Sequence, residues 1–335
     1  MSETRTESAP TARDALWVPL LTHYRAGRAG VVDPDRTLAH LRAIRPHVAQ
    51  VMLAGSTGDG WDVDDAAFDA LIDLAADEAS LALEVDLLFG VLRPTTDEVV
   101  ERLRHLERRL ARAPRLAARC KGVAVCPPVD PDASQAAIMA HFEAVMAAGE
   151  SPVAVYQLPQ VTGCRIEPET FADLARSPRV TMFKDSSGED AVARSGRSFG
   201  RVIMVRGAEG GYREALKPHG PYDGWLLSTG NALAPPLRRL LTAPAEEAAA
   251  LSARLSEAVE AVFDAAATET GANPFSNANR AMDHLRAHGE AWRDRPLPLK
   301  IDGRPLSRSL VETVERHAAP LLDRSGPGYL DARVA

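Results

Sequence analysis

Lys184 closes an apolar run. In "RVTMFKDSSGED", residues 179–190, Val180, Met182 and Phe183 have the composition of a buried strand, and the lysine stands where that strand should stop. Taking an ammonium out of water is costly, so an amine held among apolar residues loses proton affinity. In its neutral form it can attack a ketone and form a Schiff base. The protonated imine draws electrons from the neighbouring carbon, which stabilises an enamine and lets a C–C bond form or break. The competing reading is a lysine that snorkels its head into solvent, the commoner behaviour of a lone lysine.

Tyr156, in "SPVAVYQLP", is a second candidate. A phenol on the strand beside the lysine could pass protons to and from a carbinolamine. Taken alone it reads as a packing residue with one hydrogen bond. The third candidate is "GSTGDG", residues 55–60. Gly55 and Gly58 allow a tight turn. Its backbone N–H groups, with the Ser56 and Thr57 hydroxyls, can cradle a carboxylate. A phosphate would fit the same cradle, but the lysine of a P-loop is absent. Gly207, Ala208 and Glu209 follow one later apolar run, and Ser228, Gly230 and Asn231 follow the next.

These residues need a frame that brings them together. Short apolar runs recur at 16–22, 49–55, 81–90, 121–128, 151–159, 179–184, 201–207 and 223–230. A helical pattern follows each. Examples are the run Phe68, Leu71, Ile72 and Ala75, a helix capped by Thr96, a short helix after 184, and "GGYREALKP" after 207. Strand–helix alternation requires a parallel sheet. Eight units predict a closed (β/α)₈ barrel over residues 14–243, with the active site at the C-terminal ends of the strands, where every candidate above falls. An open doubly wound sheet has less support, because no G-x-G-x-x-G follows the first run. Residues 244–335 read as a helical region packed on the barrel, and residues 1–13 as a disordered tail.

Composition narrows the partners. The 335 residues are 45% hydrophobic and 25% charged, with a formal charge of −7, which argues against a nucleic-acid or membrane surface. No apolar run approaches the ~18 residues of a spanning helix. The N-terminus has no apolar signal segment, and the three cysteines form no CxxC pair. Both point to a reduced, cytoplasmic protein.

"GSTGD", "YQLPQVTG" and "FKDSSGE", in this order and with the spacing of Tyr156 to Lys184, resemble the dihydrodipicolinate synthase / N-acetylneuraminate lyase family of class I aldolases. "VRGAEGGYREALKPHGPYDGWLLSTGNALAPP" is similar to that family's later glycine-rich regions. The resemblance implies Lys184 as the Schiff-base lysine and Tyr156 as the proton shuttle. Ser56 and Thr57 would bind the carboxylate of a 2-oxo acid, most often pyruvate. Glu209 would lie near the second substrate, an aldehyde, and Asn231 would support the site. No metal or organic cofactor is implied, and a homotetramer or dimer is.

Departures from the pattern shape the expected substrate. "CPPVDPD" places Pro128 and Val129 where the lysine-pathway synthase has a relay tyrosine. Val161 stands where that enzyme has an arginine. Gln157 and Asp59 each differ from the family's usual residue by one methylene. Val161, Trp61 and Trp225 suggest a less polar acceptor pocket. The expectation is therefore a pyruvate-dependent aldolase other than the lysine-pathway synthase. A dehydratase of a 3-deoxy-2-oxo sugar acid using the same imine, or a non-catalytic sensor, are the alternatives. His23 is a candidate lining residue at the mouth. His284 and His288 read as surface or packing residues, "ERLRHLERRLARAPRLAARCK" reads as a solvated helix face, and "NPFSNANRAM" (273–282) is given no role.

Overall fold

The computed structural model describes residues 14–270, 273–322 and 326–331; the expected tail, 1–13, lies outside them. Eight parallel strands close into a barrel in chain order. They are β1 (Leu16–Pro19), β2 (Gln50–Leu53), β3 (Asp86–Gly90), β4 (Cys120–Val125), β5 (Val153–Gln157), β6 (Val180–Asp185), β7 (Ile203–Arg206) and β8 (Gly224–Leu226). Pairing of Leu16 with Trp225 joins the first strand to the last. This is a TIM barrel.

Side chains alternate between the two faces of each strand. Each strand sends one residue into a common interior layer: Trp17, Met52, Leu88, Ala124, Ala154, Met182, Val205 and Leu226. Their neighbours, such as Val155 and Phe183, point outward and pack under the helices. The interior layer plugs the barrel. Two residues further along β5 and β6, on the same face, stand Tyr156 and Lys184.

The principal helices are α1 (Pro34–Ile44), α2 (Asp65–Ala76), α3 (Thr96–Leu110), α4 (Gln135–Ala148), α5 (Pro168–Leu174), α6 (Gly230–Thr242), α7 (Ala245–Ala267), α8 (Pro274–His288) and α9 (Arg308–Ala318). The cap of α3 is Thr95 rather than Thr96. The Thr95 hydroxyl accepts from the Glu98 N–H at 3.4 Å, and the Thr95 N–H donates to the Glu98 carboxylate at 3.1 Å, a reciprocal capping box. Thr96 hydrogen-bonds His141 instead.

The helices expected after β6 and β7 do not form. Residues 186–200 are turns, in which Gly188, Asp190, Gly196 and Gly200 all have left-handed φ. After β7 there is a single 3-10 turn, Arg213–Ala215. The C-terminal helices pack together, and α8 also packs on α6 and on the 56–58 turn at the barrel mouth. No helix among the described residues is long and apolar enough to cross a membrane.

Candidate active site

Strand register sets Tyr156 directly beside Lys184. The Lys184 Nζ lies 3.9 Å from the centroid of the Tyr156 ring, and the two residues are 4% and 2% exposed. The lysine does not snorkel. Burial lowers its pKa from 10.5 to about 7, against an upward pull from Cys126 and Glu209. The Cys126 thiol is itself pushed up by burial and stays protonated near neutrality. Burial also raises the Tyr156 phenol well above its ordinary value, with a hydrogen bond from Ser186 opposing. The phenol therefore stays protonated across the neutral range. Gly207 makes room for the lysine stem: a Cβ there would sit 2.8 Å from Lys184 Cε and 2.1 Å from Ser186 Oγ.

A pKa near 7 has a kinetic consequence. Only a neutral amine can attack a carbonyl carbon, and the neutral fraction of Lys184 grows as pH rises through 7 and then saturates. Imine trapping at subsaturating pyruvate should follow that curve, rising between pH 5 and 8 and levelling above. A rate still climbing through pH 9–10 would show an ordinary, hydrated lysine.

Ser56, Thr57 and Gly58 form one 3-10 turn after β2. The opening N–H groups of such a turn lack acceptors further up the chain, which leaves them available to a ligand. Gly55 and Gly58 shape the turn: the Gly55 carbonyl accepts from Gly58 and Gly60 N–H at 2.9 Å each, and the Gly58 carbonyl accepts from Thr22 Oγ1 at 2.8 Å. Asp59, left-handed at φ 57°, anchors the far end. Its buried carboxylate takes the Tyr24 hydroxyl at 2.8 Å and the Arg280 guanidinium.

Arg280 is on α8, in the segment to which the sequence assigned no role. The same segment brings Asn273 to Ser56 and the Ser276 hydroxyl to the Thr57 carbonyl at 2.8 Å. Phe275, edge-to-face with Phe263 of α7 at 5.2 Å, lines the mouth. These contacts correct the expectation for "NPFSNANRAM": it buttresses the cradle and helps wall the cavity.

The cavity over Lys184 measures about 210 Å³, below the ~300–1,000 Å³ of drug-sized sites, so it suits small molecules. Its lining includes Ser56, Thr57, Tyr156, Lys184, Gly207, Glu209 and Ser228, all singled out from the sequence. Leu158, Gln160, Ser186 and the two phenylalanines also line it and were missed. Gly55, Gly58 and Val161 do not.

Glu209 has no free valence for a substrate. Its carboxylate accepts from Ser228 Oγ (3.1 Å), Thr229 N (3.1 Å), Thr229 Oγ1 (2.8 Å) and Tyr212 OH (3.2 Å). Burial raises its pKa, and those bonds oppose the rise. Asn231 ties β8 to β1: Nδ2 donates to Pro19 and Ser228 carbonyls at 2.8 Å, and Oδ1 accepts from Leu21 N–H at 3.0 Å.

Other candidates lie apart from the cavity lining. The Gln157 side chain accepts from Ile166 N–H at 2.7 Å. Trp225 is buried against Tyr212, and Trp61 packs outside the lining against Leu92, Cys126, Tyr156 and Leu158. His23 joins His40 and Asp283 in a buried cluster, where the Asp283 carboxylate already holds Arg36 and the Tyr329 hydroxyl. His284 and His288 pack edge-to-face, and His288 pairs with Asp331.

The model of the dihydrodipicolinate synthetase family matches residues 44–297. The chain belongs to that family. A 4-hydroxy-tetrahydrodipicolinate synthase of Stenotrophomonas maltophilia (strain K279a) is 34% identical over 172 residues, 51% of this chain and 53% of the relative, so the chain spans about half the length of that protein. One of Xanthomonas campestris pv. campestris is 32% identical over 238 residues, 69% and 74% of the two chains. Among solved structures, KD(P)GA from T. tenax superposes with TM-score 0.71 at 20% identity, covering 92% of this chain and 99% of that one. YagE from E. coli K12, solved in complex with pyruvate, gives 0.69 at 20%, covering 91% and 97%. At that identity both show the shared fold.

These relatives correct one expectation. The sequence departures point away from the lysine-pathway synthase, yet the curated relatives carry that synthase's name. The physical reason is visible in the fold. Of Pro128, Val129 and Val161, on which the exclusion rests, none lines the cavity, and the two valines are 41% and 38% exposed. Neither valine therefore puts an apolar wall into the cavity that would turn away a charged acceptor.

Proposed function

We propose that this dihydrodipicolinate synthetase family member is a class I lyase that captures pyruvate on Lys184 and joins it to a small aldehyde. One observation carries the reading: a buried amine poised near neutrality against a protonated phenol, at the floor of a small cavity. The neutral amine adds to the ketone carbon, forming the C–N bond. Tyr156 protonates the carbinolamine oxygen, which leaves as water. The methyl of the imine gives a proton back to the Tyr156 phenolate to form the enamine, and as the enamine carbon attacks the aldehyde the phenol passes that proton to the aldehyde oxygen. Water then cleaves the C–N bond and frees the amine. Ser56, Thr57 and their N–H groups hold the carboxylate throughout.

The relatives' name points to one acceptor. The named product has seven carbons, and removing pyruvate's three leaves a four-carbon 2-amino-4-oxo acid. Incubation with pyruvate and that aldehyde should give the cyclic hydroxylated product, read by mass spectrometry. Reaction of other aldehydes but not this one would overturn the synthase assignment and keep the lyase. Failure to form any pyruvate imine would overturn both. The three cysteines are free thiols, which fits work in the reducing cytoplasm.

A further inference from the structure

Asn273 is fixed at both ends of its amide. Oδ1 accepts the Phe275 N–H at 3.0 Å and caps α8. Nδ2 donates to the Ser56 carbonyl at 2.8 Å and to Ser56 Oγ at 3.3 Å. Turning the amide over would set its NH₂ against the Phe275 N–H, so the network determines its orientation. A serine hydroxyl has one proton and two lone pairs. With Asn273 donating to the oxygen, that proton is left for another acceptor. Among the described residues no acceptor in the chain takes it, and Ser56 lines the cavity.

We propose that Asn273 is a positioning residue for the 2-oxo acid, holding the Ser56 hydroxyl as a hydrogen-bond donor toward the substrate carboxylate. The role rests on the imine chemistry above. Ser276 does the parallel task on the next residue by holding the Thr57 carbonyl at 2.8 Å. The first turn of a C-terminal helix thereby sets the polarity of a cradle that lies more than two hundred residues earlier in the chain.

Asn273→Asp separates capping from positioning. A carboxylate still caps the helix, and aspartate is as good a cap as asparagine. It cannot donate to Ser56, and instead draws the serine proton away from the substrate. The pyruvate concentration for half-maximal borohydride trapping should rise roughly ten- to a hundredfold, the worth of a hydrogen bond to a charged group. The maximal adduct should hold, while the Tm falls modestly because the bond to the Ser56 carbonyl is also lost. Asn273→Ser also caps the helix but does not reach Ser56, and should raise that concentration several-fold. In a Ser56→Ala background it should add nothing further.

An unchanged half-saturation in Asn273→Asp, additive shifts in the double variant, or a joint fall of Tm and maximal adduct would each overturn the role. A wild-type protein that forms no pyruvate adduct overturns the parent reaction and this role together. Trapping by wild type with no shift in the variant overturns the role alone.

Discussion

Lys184→Met ends trapping by pyruvate and borohydride and lowers turnover roughly 10⁴- to 10⁶-fold, as expected when a covalent nucleophile is lost. Methionine nearly matches the lysine stem in length and suits the apolar floor beside Met182 and Tyr156. The folded chain is therefore retained, and its Tm rises, because no ammonium has to be desolvated. A second signature is the pH dependence of stability. Folding lowers the amine's pKa from 10.5 to about 7, so between these values the unfolded chain binds the extra proton. Stability attributable to this group consequently rises with pH from about 7 to 10.5 and is lowest below that window. Lys184→Met removes that slope. Thermal melts across the window check it, and an unchanged slope would show that the lysine is not the desolvated group described.

Tyr156→Phe should lower turnover roughly 10²- to 10⁴-fold, the usual range for general acid–base catalysis. The ring remains under the Lys184 Nζ, so packing and the cation–π contact persist. What disappears is the proton donor for the carbinolamine oxygen and the hydrogen bond with Ser186. Imine still forms, more slowly, and adduct at long incubation reaches the wild-type level. The decisive contrast is between the two variants: Lys184→Met gives no adduct at any time, whereas Tyr156→Phe gives full adduct late. Equal, rapid trapping by Tyr156→Phe and wild type would remove the phenol from the mechanism.

The barrel was legible because local patterning carries it. Each strand is a short apolar run, and Lys184 and Tyr156 stand where two adjacent runs end. Local signals also misled. Thr96 reads as the cap of α3, but its neighbour Thr95 is the residue with a glutamate three positions on to close the box. The stretch after β6 read as a short helix, but left-handed glycines and the Asp185–Ser187 turn take its backbone elsewhere. What the sequence concealed were partners distant along the chain. Asn273, Ser276 and Arg280 act on Ser56, Thr57 and Asp59, and Phe263 and Phe275 meet in the lining of the Lys184 cavity. No spacing rule links such positions. The same limit applies to Val161, whose place in a motif suggests a pocket wall while its side chain is exposed and lines no part of the cavity.

Every step of the proposed reaction requires Lys184 to be a desolvated, reactive amine. The most direct test is to incubate the wild-type protein with pyruvate, reduce with borohydride, and map the modified peptide. The expected result is a single adduct, the mass of one reduced pyruvate imine, on Lys184, formed at a rate that rises with pH to a plateau above 7. An unmodified Lys184, with adduct absent or scattered over Lys121, Lys217 and Lys300, would contradict it.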